Sequence, residues 1–175
     1  MPRDFAYPAD GALYRHYAEG DFLDGQCVPL PHPVPDAAEL AIATFFHMPG
    51  WVKGLMWLRN QLMRPFGLKT GGADGMPQPT LETIRDGTYR GIFAVHSTSP
   101  DEVVLGTDDR HLDFRVSILR DRDDDVVAIS TWVHTHNILG CLYLAVVYPF
   151  HRIIVARCLA NAVSLGVIRQ PAQTQ

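Results

Sequence analysis

The sequence predicts an α+β domain, an antiparallel sheet covered on one face by a long C-terminal helix. Three observations carry that reading. In HLDFRVSIL (111–119) the side chains alternate with period two. Leu112, Phe114, Val116 and Ile118 point one way, and His111, Asp113, Arg115 and Ser117 the other. VVAISTWVHT (126–135) follows directly after the charged turn DRDDD, as the second strand of a hairpin does. From 138 to about 163 runs an apolar segment of helical length. A sheet with one apolar face needs a cover, and this helix is the available one.

The hairpin register follows from its loop. If Asp123 and Asp124 form a two-residue loop, Arg122 faces Asp125. Phe114 then faces Val133, and Val116 faces Thr131. On the other face Arg115 meets Trp132, Asp113 meets His134 and His111 meets His136. A one-residue slip would exchange the faces. The even loop is preferred because it puts two apolar sets together. The face with His111, Asp113, Arg115 and His134 is expected to be wet.

Asn137 is placed to cap the helix. Between Ile138 and Phe150 no residue is charged, and apolar groups circle the whole segment. That half is expected to be buried on more than one side. Pro149 should kink the axis. His151, Arg152 and Arg157 then give a polar side to the remainder. The uncharged run falls short of the about 20 residues a membrane span needs, so no membrane span is expected.

The 175 residues fit one domain, read as 21–165 between an irregular segment 1–20 and a disordered tail 166–175. A net charge of −4 without a basic stripe excludes a nucleic-acid binder. Cys27, Cys141 and Cys158 follow no metal or redox spacing, and reduced thiols suit a cytoplasmic protein. The N-terminus lacks the apolar core of a signal peptide.

In chain order, 21–30 reads as an edge strand that ends in prolines. Asp36 with Glu39 forms a capping-box start for a helix to about 47. Trp51, Leu55, Leu58 and Leu62 recur at helical spacing, which predicts a second helix over 51–63. The loop 69–80 has no phosphate-binding motif. A helical turn at 81–84 and strands at 89–98 and 102–106 lead into the hairpin. The count comes to about five strands joined by short turns.

This order resembles the helix-grip fold of the START and polyketide-cyclase-like superfamily. There a curved antiparallel sheet wraps the last helix and leaves a pocket. The stretches MPGWVKGLMWLRN, GTDDRHLDFRVSIL and STWVHTHNILGCLYLAVVYPFHRIIV are similar to segments of an uncharacterised bacterial family of unknown function. Members of that family look to occur fused behind NmrA-like short-chain dehydrogenase domains. The resemblance implies a pocket and a reductase connection, and it supplies no catalytic residues.

His134 and His136 share one strand face, with His111 and Asp113 as neighbours, a spacing that metal sites use. Metal ligation needs three or four converging groups, so a wet face with loosely paired charges is the preferred reading and no metal or cofactor is expected. Acid–base chemistry by Asp113 and His134 would need a cleft on that face. The preferred function is binding of a small apolar molecule between sheet and helix. The candidate ligand-binding residues are Trp57, Phe114, Val116, Thr131, Val133, Tyr143 and Val147. A cyclase- or isomerase-type enzyme using the same cavity is the alternative, distinguished by an ionisable group inside it. A ligand-free interaction module, docking on a reductase or on a second copy, is the third.

Overall fold

The computed structural model describes residues 2–30, 35–46, 50, 51, 54, 78–91 and 93–164. The second helix expected over 51–63, the loop 69–77 and the tail 166–175 lie outside these residues, apart from Trp51 and Gly54.

Strands β1 (Arg3–Asp4) and β2 (Phe22–Pro29) flank a 3-10 turn at Ala12–Arg15. Helix α1 (Ala37–Ala41) continues into a π-helical turn, Ile42–Phe46. Helix α2 (Leu81–Arg85) precedes β3 (Ala94–Thr98), β4 (Glu102–Asp108), β5 (Leu112–Asp121) and β6 (Val126–Thr135). Helix α3 (Ile138–Ser164) closes the described chain. The strands form one antiparallel, curved six-stranded sheet in the order β1-β2-β6-β5-β4-β3, with the long helix across it. The α+β, helix-grip-like class is the observed one.

The hairpin register agrees with the alternation pattern: Phe114 pairs with Val133, Arg115 with Trp132 and Val116 with Thr131. The loop differs. The last pair is Asp121 with Val126, which leaves a four-residue turn. The Asp121 carboxylate accepts from the amides of Asp123 and Asp124 at 3.0 and 3.1 Å, and Asp125 turns left-handed at φ 51°. An even loop keeps the parity, so the faces stay as read.

Asp36 and Glu39 close a reciprocal capping box on α1, as expected. Thr80 and Thr83 make the equivalent arrangement on α2. The strand expected over 89–98 begins only at Ala94. The additional strand is β1, too short to leave a period-two signal.

The main core lies between the sheet and the helices. Val116, Ile118, Val127 and Ile129 pack with Leu40, Ala41, Val155, Leu159 and Ala162. The opposite face is covered in part, which corrects the expectation of a wet surface at Arg115, while His111, Asp113 and His134 stay partly exposed. The N-terminal segment crosses it, burying Tyr7 and Leu13 against Val104 and Trp132. Tyr7 donates to Glu102, which also receives the Ser117 hydroxyl at 2.5 Å. Gly25 makes the crossing possible: a Cβ there would sit 2.7 Å from the Phe5 carbonyl oxygen. Arg115 is thereby only 6% exposed, its guanidinium 5.9 Å from the Trp132 ring centre and paired with Asp108 at 2.6 Å.

By length and composition α3 could cross a membrane. Here its C-terminal half is a core helix, whereas its N-terminal half breaks the expectation of all-round burial. Ile138, Leu142, Val146, Phe150 and Ile153 are between 52% and 78% exposed. Composition alone could not reveal this, because one side of an all-apolar segment looks like any other.

Candidate functional site

The side of α3 that faces the sheet is traced by Gly140, Leu144, Val147, His151, Val155, Cys158 and Ala162, spaced three or four apart. Val155, Cys158 and Ala162 are buried; Leu144, Val147 and His151 are only half-buried; Gly140 is buried again. Both ends of the helix are pinned. At the C-terminal end the core does so. At the N-terminal end the Asn137 carboxamide caps the helix, accepting from the Gly140 amide at 3.1 Å. Gly140 lies against the His111 carbonyl oxygen so closely that any Cβ would collide with it. The most exposed part of this side is therefore its middle, over β6 and β5.

Beneath that span lie Thr131 and Val133, both buried, and Phe114, half-buried with its ring 5.3 Å from that of Phe93. His151 Nε2 is 3.0 Å from the Thr131 hydroxyl. The β2–β6 register sets Asp24 beside Thr131. Arg152 donates to Asp24 at 2.8 Å and also pairs with Asp4. Gln26, buried, donates to the Arg152 carbonyl at 3.0 Å. The floor of the seam is thus polar and its walls are apolar.

Desolvation, followed by the nearby Arg152 charge, pushes the His151 imidazole down to about 4. It is neutral at neutral pH. Desolvation also raises the Asp24 carboxyl, against the opposing pull of Arg152.

Of the sequence-derived ligand residues, Thr131, Val133, Val147 and Phe114 come together here. Val116 is buried in the main core toward α1, and Tyr143 lies on the flank of α3. Trp57 lies outside the described residues. Asp24, Gln26, His151 and Arg152 were missed as members of the site. His151 stands four residues after Val147, so its position was available from helical spacing. The β2 residues were not available that way. DFLDGQCV has apolar groups on both parities, and only its pairing with β6 assigns the faces.

The histidines of the outer face follow a different plan. Asp113 opposes His134 in the ladder, but its carboxylate pairs with His136 at 3.2 Å. His134 Nδ1 instead meets Asp21 at 2.6 Å, and Trp132 donates to the same carboxylate at 2.9 Å. Burial works against charge on Asp21. The Ala18 amide, His134 and Trp132 outweigh it and hold the carboxyl below its usual range. This arrangement fastens the end of the N-terminal segment to the sheet. Among the described residues no three metal-ligating side chains converge.

Residues 16–158 match the family described as Protein of unknown function (DUF2867). The chain belongs to that family. The matched stretch of this DUF2867 domain takes in β2 through β6, the pinned start of α3 and the His151–Thr131 pair. No curated protein and no solved structure matches the chain.

Proposed function

We propose that this DUF2867 domain binds a small, mostly apolar molecule between the sheet and the N-terminal half of α3. The observation that carries the reading is the partly exposed middle of the sheet-facing side of α3, half-buried at Leu144, Val147 and His151 and flanked by buried Gly140 and Val155. Such sites are mostly apolar with a few placed polar groups. The polar group here is the neutral His151–Thr131 pair. It suits a hydroxyl or a ketone. Arg152 is already matched by Asp4 and Asp24, so a carboxylate head would meet excess negative charge.

An ionisable group does lie in the seam, which was the mark of the cyclase- or isomerase-type reading. With its imidazole near 4, His151 is a weak general base at neutral pH, and binding is the better-supported role. Kinship with the START and polyketide-cyclase-like superfamily, and service as an accessory domain to a reductase, belong to the same proposal and rest on the resemblance.

Thermal-shift screening tests it. Steroids and aromatic polyketides should raise the melting temperature more than fatty acids of similar size. At about 100 times the dissociation constant the gain is about 2.7 kcal/mol. In His151→Leu the preference for hydroxyl- and keto-bearing compounds should disappear. If no compound of any class shifts the wild type, the ligand-free interaction module is the better reading.

A further inference from the structure

Eight consecutive solvent-facing positions of α3 carry no charge: Ile138, Cys141, Leu142, Ala145, Val146, Pro149, Phe150 and Ile153. A helix side facing water is normally polar. We propose that this side is a homodimer interface in which α3 packs against α3 of a second copy of the chain.

The shape of the surface points to a second copy. Ile138, Leu142, Val146 and Phe150 are four apart and form one raised row. Cys141 and Ala145 begin the neighbouring row and are small, so that row is a shallow groove. A ridge beside a groove of the same pitch is complementary to itself. Two such helices can interdigitate about a two-fold axis at an angle near −50°. The stripe runs about 22 Å along the helix.

The area also fits. Five large side chains, each more than half exposed, lie along the stripe. They approach or exceed the largest apolar patch of a typical monomer, about 300–600 Å². They supply the greater part of the about 800 Å² that each partner of a stable complex buries. Charge separates this occupant from a lipid surface. Helices that lie in a bilayer interface carry Lys and Arg on their polar side. The helix has no lysine, Arg152 is held by Asp4 and Asp24, Arg157 alone is left as an exposed arginine, and the chain's net charge is −4. The proposal is independent of the ligand site, which uses the opposite side of α3.

The test uses the full chain. Sedimentation equilibrium should give a dimer at micromolar concentration. Val146→Asp, a change at a largely exposed position, should raise the dissociation constant about a hundredfold or more while far-UV circular dichroism stays unchanged. Cys141 gives a second readout in the wild type, because Cys27 and Cys158 are buried. Its reaction with a thiol reagent should slow as the protein is concentrated, and Val146→Asp should abolish that slowing. A wild-type monomer at 100-fold higher concentration, with Cys141 equally reactive throughout, overturns the proposal. So does flotation of a monomer with phosphatidylcholine or phosphatidylglycerol vesicles, which would assign the surface to lipid.

Discussion

The two halves of α3 are similarly apolar and differently used. Downstream of Val155 the sheet-facing side chains are sealed into the core. Upstream of His151 the sheet-facing side is half open, and the far side presents bare hydrocarbon to solvent. The difference teaches that hydrophobicity marks surface that must be covered and does not say by what. In the C-terminal half the fold supplies the cover. In the N-terminal half the cover is thinner: the cap at Asn137, the close approach at Gly140, the Thr135–Cys141 contact and the Phe22–Tyr148 ring contact leave the far side open.

Truncation should expose that contrast most strongly. Leu159 is fully buried, and Leu159→Ala should cost about 2–5 kcal/mol. Leu142→Ala, at an exposed position, should stay within about 0.5 kcal/mol in dilute, monomeric protein. Denaturant titrations of both variants measure the gap, and equal losses would erase the distinction between the halves.

Acid should act at the junction of the halves. The unfolded His151 side chain takes up a proton near pH 6.5, and the folded one only near 4. Between these values the unfolded state binds more protons, so stability falls as pH is lowered from about 6.5 to about 4. The loss from this residue is on the order of 2–3 kcal/mol. His151→Gln should remove that component. His16 and His96 are also held low, by burial first, and leave a residual slope in both proteins. Parallel pH profiles for wild type and variant would show that the imidazole is not desolvated in the seam.

The sheet side of the seam offers a finer measure. Phe114 reads from alternation as a core residue, yet it is only half-buried, at the edge of the core. Phe114→Ala should therefore cost about 1–3 kcal/mol, less than the about 3–5 of a fully buried phenylalanine. A loss as large as the latter would mean that the middle of the seam is as closely packed as its ends.

Much of this fold was legible because its signals are local. The alternation in 111–119 and the even hairpin loop set the register from Leu112–Thr135 to Asp121–Val126. Asp36 and Asn137 gave helix starts through capping chemistry. What stayed hidden depends on contacts distant in sequence. The N-terminal segment looked irregular because its order comes from Tyr7 and Asp21 reaching the sheet more than 90 residues away. The polar floor of the site depends on β2 pairing with β6, about 100 residues apart, and no spacing within β2 shows it. The exposed side of α3 was misread for the opposite reason. Its local signal was strong, but it did not specify a direction.

The smallest expected effect tests whether the halves are separate units. Asn137 holds the start of α3 by capping Gly140 and by meeting the His111 ring, with Thr135 and Cys141 adding a contact at 3.2 Å. Asn137→Ala should cost about 1 kcal/mol, the usual value of a cap. That loss should be local. Residues 138–147 have little packing to hold them once the cap is gone, so their amide hydrogen exchange should speed up. Residues 155–162 are held by Leu40, Ala41 and the inner sheet and should exchange as before. A uniform acceleration along α3 would show one cooperative helix and erase the distinction between its halves.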